Sequence, residues 1–421
     1  MGEREETKSM TIEERMAVLK ERIGTVKFDK EYVLRGLPEG AYIFNEVASD
    51  ENIRRWAIGI GDLNPRFLSA EYAKKTKYGR LAAPPLFLQS VCFVGIGTIE
   101  TDDVEGRGFH SGSDWEFFQP VLEGDRLDFD GHGLIDAEVR DSKFSGKMIV
   151  STGIVQYRNQ RGENVGMCKG YIHRSAGDET AINIGKYTGV AKPYRYTNDE
   201  IKKIEDDQSK EEMRGDRPRY WEDVKEGDSI DPLVIGPHTI MDSVGHFTAI
   251  WGCFPLGTPN RFYRLWFKNE QDKMAQRGIR PLAGVYDPRI NAYVNADMPH
   301  LDYDLGRLVG APGAYDNGGG RECIASILFT NWIGDDGFLW KYSIRFRKFV
   351  VHGDTNWFGG RVTRKYIDDG KCCVDVEHWA DNQRGERTTT GKATVILPSR
   401  TQGRVKYPKP VYIEDIFPSK K

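Results

Sequence analysis

The feature that most constrains the fold is an internal repeat. The pentapeptide NQRGE occurs at residues 159–163 and again at 382–386, an offset of 223 positions in a chain of 421. The flanking sequences, VQYRNQRGENVGMCKG and VEHWADNQRGERTTTGKA, each predict two strands joined by a polar turn that contains Gly. Self-similarity at a fixed offset indicates a tandem architecture.

Two further pairs of segments follow in the same order. QPVLEGDRLDFDG (119–131) matches RKFVVHGDTNWFGG (347–360), and each carries a Gly-Asp turn within a β-rich run. LAAPPLFLQSVCFVGIG (81–97) matches GAPGAYDNGGGRECIASILF (310–329), and each predicts a Pro/Gly loop that leads into an apolar helix. Together with the helical segments that begin each half, these pairs give four ordered matches, which indicate a duplication.

Each half also begins with a helical segment. These segments are SDENIRRWAIGIG (49–61) and TIMDSVGHFTAIWG (239–252), with Asp50 and Thr239 expected as N-caps. A half therefore contains a helix, a polar loop, a buried helix and then several strands. This order predicts an α+β fold in which an antiparallel sheet wraps around one apolar helix.

The repeat also sets the expected domain organisation. Residues 1–40 are predicted as an N-terminal helical extension, and 41–190 as the first repeat. Residues 191–217 are dense in charge, which favours a solvated linker helix, and 218–421 form the second repeat.

Two polar loops occupy matching places in the halves. In GDLNPRFLS (61–69), Asp62 and Asn64 precede Pro65 in a turn-forming segment, but Phe67 cannot exchange a proton. The second half contains YVNADMPHLDYDLG (293–306). A shift of 233 places His300 on Phe67, Asn295 on Asp62 and Asp297 on Asn64. One loop keeps the acid and the other keeps the imidazole.

The first loop resembles the signature of MaoC-like, R-specific enoyl-CoA hydratases and acyl dehydratases, which runs Gly-Asp-x-Asn-Pro-x-His. Gly61, Asp62, Asn64 and Pro65 match it, and Phe67 stands in place of the family His. Over most of residues 40–400 the chain resembles a tandem form of this family, the double hot-dog. Its first half is similar to fatty-acid-synthase-like (FAS1-like) dehydratase domains.

The resemblance implies a fold and an activity. The fold would be a double hot-dog, with two tandem antiparallel sheets each wrapped around a central helix. The activity would be that of a hydro-lyase, which adds water reversibly to a 2-enoyl-CoA. The substrate would be an acyl-CoA thioester, with no cofactor beyond the CoA of the substrate itself. The resemblance leaves the oligomeric state open: a homo-oligomer of double hot-dog chains is compatible with it, but a tandem chain already contains the pairing that single-domain members obtain by dimerising.

The resemblance assigns the chemistry to the second half. His300 titrates in the useful range and is the expected general acid/base, with Asp297 in place of the displaced acid. Asn295 and Asp302 would orient substrate or water. Gly318 and Gly319 precede the apolar helix, where bare N–H groups would bind the thioester oxygen.

Structural roles remain open for the same residues. Asp297 and Asp302 are equally suited to cap a helix, and Gly318 and Gly319 to form a flexible turn. Asp62 and Asn64, which would line the substrate tunnel, are also ordinary turn formers in a silent site.

Composition limits the partners. The net charge is −3, so no overall positive field favours nucleic acid or an anionic membrane, and no apolar run reaches the ~18 residues of a membrane span. Six scattered cysteines without a CxxC pair favour reduced thiols and a cytoplasmic location. No cluster has convincing metal-ligand spacing.

Two alternatives to a hydratase remain. A hot-dog acyl-CoA thioesterase would use a carboxylate and water on the thioester carbonyl. A non-catalytic subunit, whose acid and imidazole are split between the halves, would instead shape the acyl tunnel of a partner dehydratase.

Overall fold

The computed structural model describes residues 10–34, 45–93, 108–142, 146–175, 193–250 and 285–417, together with 259, 261, 264 and 268. The described α-helices are α1 (Ile12–Arg22), α2 (Lys30–Leu34), α3 (Asp50–Ile60), α4 (Pro65–Leu68), α5 (Ala70–Ala73), α6 (Asn198–Gln208), α7 (Ile240–Ala249), α8 (Tyr303–Leu308), α9 (Gly318–Ile333) and α10 (Ile413–Ile416). Short 3₁₀ helices span Pro85–Ser90, Trp221–Asp223 and Met298–His300.

The strands form one long antiparallel sheet and one small hairpin. They are β1 (Lys27–Asp29), β2 (Gly108–Phe117), β3 (Leu127–Ser142), β4 (Gly146–Asn159), β5 (Asn164–Ser175), β6 (Ser229–Ile235), β7 (Val285–Asp287), β8 (Ala292–Val294), β9 (Phe338–Phe346), β10 (Asn356–Asp368), β11 (Lys371–Asn382) and β12 (Arg387–Ile396). The ten-stranded sheet has the order β1-β3-β4-β5-β2-β9-β12-β11-β10-β6, and β7 pairs with β8 alone.

The sheet divides between the two repeats at its centre. Strands β1 to β5 belong to the first half and β6 and β9 to β12 to the second, with the junction at β2 and β9. There Gly112–Glu116 pairs with Lys341–Arg345, and the Arg345 guanidinium lies 2.8 Å from an Asp114 carboxylate oxygen. Two antiparallel sheets that continue into each other confirm the α+β double hot-dog fold.

Helix α9 is the central helix of the second half. It is apolar around nearly its whole circumference, and most of its 16 residues are buried. A helix of this composition is stable only when neighbours cover every face. It contacts β6, β9 and β10 of its own half, and β2, α3 and the 3₁₀ helix Pro85–Ser90 of the other. Both repeats therefore contribute to the surroundings of α9.

The repeated NQRGE segments fold into the same turn. Asn159 Oδ1 accepts the N–H groups of Arg161 and Glu163, and Asn382 Oδ1 accepts those of Arg384 and Glu386. Gly162 and Gly385 have φ of 74° and 70°, the left-handed conformation that glycine adopts without strain. The repeated pentapeptide thus forms the same hairpin connection in both halves, with the Asn side chain as acceptor and Gly in the left-handed position.

The offset of 233 also holds at the start of each central helix. Ala82 forms a bridge with Leu122, and Tyr315, which is 233 residues after Ala82, forms the matching bridge with Val351. The N–H of Ala83 donates to Val121 O and that of Asp316 to Val350 O, both at 2.9 Å. The helices begin at Pro85 and Gly318, again 233 residues apart. These matching contacts align the two sites residue by residue.

Helices α3 and α7 cross at Gly59 and Gly245, where neither helix has a side chain. A Cβ at Gly59 would lie 2.4 Å from Ala249 Cβ, so only glycine permits the approach. Thr239 caps α7 as expected, whereas the cap of α3 is Ser49, whose hydroxyl accepts the Asn52 N–H, and not Asp50. Among the described residues, no helix is both long and apolar enough to cross a bilayer.

Candidate functional site

The loop of the second half begins with a side chain that folds back on the backbone. Asn295 Oδ1 accepts the Asp297 N–H at 2.9 Å, and Asp62 Oδ1 accepts the Asn64 N–H at 3.0 Å in the first half. The two loops thus form the same turn, although one uses an amide and the other a carboxylate. The Asp297 carbonyl then accepts the N–H of His300 at 2.9 Å, within the 3₁₀ helix.

The imidazole of His300 is held against the segment that leads into α9. His300 Nδ1 lies 3.1 Å from the Tyr315 carbonyl oxygen, and the two rings are 4.3 Å apart. A carbonyl only accepts, so Nδ1 carries the hydrogen of this bond. In the neutral ring Nε2 is then the basic nitrogen, which is the form a general base requires.

Three glycines open α9 beside this histidine. Asn317 caps the helix, and its Oδ1 accepts the Gly320 N–H at 3.2 Å. The N–H groups of Gly318 and Gly319 lie in the first turn of α9. No carbonyl group of the helix is placed to accept a hydrogen bond from them. A Cβ at Gly319 would lie 2.9 Å from Gln89 Oε1, so larger residues would crowd the helix start.

A buried histidine, not predicted from the sequence, lies against the third glycine. A Cβ at Gly320 would be 3.1 Å from the His246 ring, and neither ring nitrogen of His246 has a partner among the described residues. Burial, followed by the charge of nearby His300, lowers the pKa of His246 to about 3. His246 is therefore neutral near pH 7.

A pocket opens on this side of α9. Its walls come from β6, α7, the start of α9 and β10, and its lining includes Ile235, His238, Asp242, Ser243, His246, Asp316, Asn317, Gly320, Arg321, Ile324, Val350, Asn356 and Phe358. His300 and Gly318 are not among the lining residues. His352 bonds to the His300 backbone, and its ring centroid lies 5.4 Å from that of His238, which lines the pocket. Burial lowers the pKa of His352 to about 4.

Asp302 lies at the start of α8. Its Oδ1 accepts the N–H groups of Asp304 and Leu305, and its Oδ2 is 2.9 Å from the Arg289 guanidinium. Burial alone would raise the pKa of Asp302, but the Leu305 N–H and Arg289 outweigh it and leave that pKa below its usual value. Both carboxylate oxygens are engaged by the loop itself, as expected of a cap.

The first-half loop is packed beneath the surface. Asp62 and Asn64 are fully buried, and Asp62 Oδ2 accepts the Thr330 hydroxyl at 3.0 Å. Phe67 is buried where His300 stands in the other half, and the Arg66 guanidinium donates to the Gly334 carbonyl at 3.2 Å. A second pocket beside this loop is lined mainly by apolar residues, among them Ala83, Pro84, Leu88, Phe117 and Leu339.

The two loops lie at opposite ends of α9. Asp62 contacts Thr330, which is twelve residues beyond Gly318 on the helix. At 1.5 Å per residue these positions are roughly 18 Å apart. The Asp of the first half therefore cannot serve the His of the second in one site. The fold contains two separate sites, and His300 has to work with groups at the start of α9.

A second buried acid–imidazole pair stands at that end of α9. Glu322 Oε2 lies 3.1 Å from His110 Nε2, which links α9 of the second half to β2 of the first. Neither His110 nor Glu322 is among the site residues predicted from the sequence. The pair is separated by 212 residues, so no local pattern could reveal it.

Comparisons with known proteins agree with the fold. Residues 44–167 match the model of the FAS1-like dehydratase domain region. A solved structure described as a MaoC-like dehydratase is 16% identical with a TM-score of 0.56, covering 90% of this chain and 99% of that one. The chain therefore shares the fold of that MaoC-like dehydratase structure.

The curated relatives match a minor part of this chain. A UPF0336 protein from Streptomyces avermitilis is 27% identical over 145 residues, which are 34% of this chain and 83% of that protein. A UPF0336 protein from Streptomyces coelicolor is 36% identical over 81 residues, 18% of this chain and 54% of its own length. Across the part of the chain that the structure describes, no group of three or more His, Cys, Asp or Glu could hold a metal ion.

Proposed function

We propose that the chain is an enoyl-thioester hydratase, which acts as a 3-hydroxyacyl-CoA dehydratase in reverse. The observation that carries the proposal is the position of His300. Its Nδ1 lies 3.1 Å from the carbonyl oxygen of Tyr315, and Tyr315 is three residues before the first glycine of α9. A proton-transferring group and bare backbone donors are the two elements that this reaction needs.

The reaction follows from these groups. The Tyr315 carbonyl fixes the tautomer of His300, so that Nε2 exchanges a proton with the water added at C3. As water adds at C3, negative charge moves to the thioester oxygen and gives it enolate character. The N–H groups of Gly318 and Gly319 stabilise that charge. Neutral His246, beside Gly320, adds no charge of its own to this end of the helix.

The remaining loop residues have supporting roles in the proposal. Asn295 shapes the turn and orients substrate or water, and Asp297 is the carboxylate that works with His300. The CoA belongs to the substrate and is the only cofactor component. The first half, with Phe67 in place of a histidine and Asp62 bonded to Thr330, contributes walls of the acyl tunnel.

Replacement of the central histidine tests this proposal. His300→Ala should lower kcat for hydration of a 2-enoyl-CoA by about 100-fold or more, since a positioned acid/base contributes 10²–10⁴-fold. The assay follows the loss of absorbance of the conjugated enoyl thioester, with crotonyl-CoA and longer homologues as probes. His132→Ala, which removes an imidazole packed against Phe417 at the far side of the sheet, is the control.

The same experiment separates the alternatives. Release of free CoA thiol at the rate of absorbance loss would indicate a thioesterase. An inactive wild-type chain that becomes active only with a partner dehydratase would indicate a tunnel-shaping subunit. Wild-type hydration rates in His300→Ala would refute the assignment of His300.

A further inference from the structure

Glu322 and His110 form a buried network at the start of α9. Glu322 Oε1 accepts the Ser113 hydroxyl at 2.5 Å and also the Trp115 indole N–H, while Oε2 faces His110 Nε2. The His110 side chain is only 8% exposed and that of Glu322 1%. A carboxylate with this many donors around it is held in one orientation, and it holds the imidazole in turn.

The contacts define which nitrogen of His110 is basic. A carboxylate is an acceptor only, so Nε2 carries the hydrogen of this bond and Nδ1 has the lone pair. Nδ1 is buried and has no hydrogen-bond partner among the described residues. An unpartnered buried acceptor is uncommon in native proteins and calls for an explanation, of which a catalytic role is one.

His110 and His300 flank the same turn of chain. A Cβ at Gly318 would lie 3.2 Å from His110 Cδ2, so the imidazole packs directly on the first residue of α9. The Tyr315 ring contacts His300 on one side and Phe109, the neighbour of His110, at 6.3 Å on the other. Both imidazoles therefore border the Tyr315–Gly318 segment, where the thioester would bind.

The internal symmetry supports a functional origin for the pair. By the offset of 233, Glu322 corresponds to Gln89. In the strands the Gly-Asp turns at Gly124 and Gly353 set an offset of 229, so His110 corresponds to Leu339. The first-half site thus has Phe67, Leu339 and Gln89 where the second has His300, His110 and Glu322. If the network served only to join the halves, it would not need to occur in the site that has His300 and be absent from the site that lacks it.

We propose that His110 is a second catalytic residue of the second-half site, with Glu322 as its positioning residue. This assignment rests on the proposed hydratase function and adds the group that acts at C2. In the dehydration direction His110 Nδ1 accepts the C2 proton, and the C2–H electron pair forms the C2=C3 bond. The C3–O bond breaks, and the hydroxyl leaves as water with a proton from His300. Proton exchange with solvent restores both imidazoles.

His110→Gln separates catalysis from structure. The Gln amide N–H reaches the position of Nε2–H and still donates to Glu322, but no base remains at Nδ1. We expect kcat for crotonyl-CoA hydration to fall by about 100-fold or more, with KM within a few-fold and Tm close to that of the wild type. The matched control is His378→Gln: His378 is also buried, its Nε2 donates to the Ser343 carbonyl at 3.0 Å, and its Nδ1 is equally without a partner.

Glu322→Gln provides a second readout. Its amide presents an N–H to His110, which favours the opposite tautomer and places the hydrogen on Nδ1. We expect kcat to fall and the pH profile of kcat to change, whereas a structural loss would change Tm and leave the profile of the folded fraction unaltered. Exchange of the C2 protons of butyryl-CoA with deuterated solvent, followed by NMR, should be lost in His110→Gln and retained in His300→Ala.

The possible failures are distinguishable. If the wild type hydrates crotonyl-CoA and His110→Gln does so at the same rate, the role of His110 is refuted while the proposed function stands. If the wild type hydrates no enoyl thioester, the proposed function fails and the role of His110 falls with it.

Discussion

At the scale of single residues, the acid Asp62 in one loop and the amide Asn295 in the other occupy matching positions with different electrostatic consequences. Asp62 and Asn295 form the same turn, but only Asp62 can ionise. Burial raises the pKa of Asp62, and the bonds from the Asn64 N–H and the Thr330 hydroxyl offset this only in part. An acid with a folded-state pKa above its unfolded value stabilises the fold at low pH, and this contribution is lost as pH rises through the folded pKa.

Asp62→Asn should therefore gain stability relative to the wild type as pH rises. The amide can satisfy both contacts, since Oδ1 accepts the Asn64 N–H and Nδ2 donates to Thr330, whose hydroxyl hydrogen turns to the Ile327 carbonyl at 3.1 Å. We expect the difference in Tm between variant and wild type to grow from about pH 4 to about pH 8. A difference that stays constant across this range would contradict a raised pKa.

Sequence reasoning at this scale found the residues with local signals. His300, Asn295 and the glycines of α9 lie in segments where turn chemistry and a repeat offset could be recognised. His110 and Glu322 escaped because their pairing depends on how β2 packs on α9, across 212 residues of chain. The sequence suggested Asp302 as a carboxylate that binds substrate, yet neighbouring groups of the protein engage both of its oxygens.

At the scale of elements, the best-predicted feature is the repeated hairpin turn. Both turns follow from the NQRGE sequence because the Asn side chain receives two backbone N–H groups and its own amide donates to the Glu carboxylate. The central helix of the second half was equally predictable from the sequence, since its apolar composition requires burial on every face.

Asn159→Ala and Asn382→Ala should each destabilise the fold by about 1–3 kcal/mol, because each removes two backbone hydrogen bonds to the oxygen of a buried Asn, and each such bond contributes roughly 0.5–1.5 kcal/mol. The measurement is chemical denaturation of each variant at fixed pH. Arg161→Ala in the same turn is the control, since the side chain of Arg161 is about half exposed and its ion pair with Glu163 contributes little. Equal stability of the Asn variants and this control would show that the turns do not hold the hairpins.

At the scale of the whole molecule, the duplication was visible in sequence but its consequence was not. The offsets predict two similar halves, whereas hydrogen bonding between β2 and β9 makes their sheets one continuous surface. This arrangement lets the first half supply β2, with His110, to the start of α9. It also separates the two polar loops to opposite ends of α9, so that one site keeps the imidazoles and the other becomes apolar.

The central claim is that the chemistry lies at the start of α9 in the second half. The most direct test is a crystal structure with a non-reactive analogue of a 2-enoyl-CoA bound. We predict that the thioester oxygen accepts the N–H groups of Gly318 and Gly319, with C3 beside His300 and C2 beside His110. A thioester bound instead beside Phe67 and Leu339, at the other end of α9, would contradict the account.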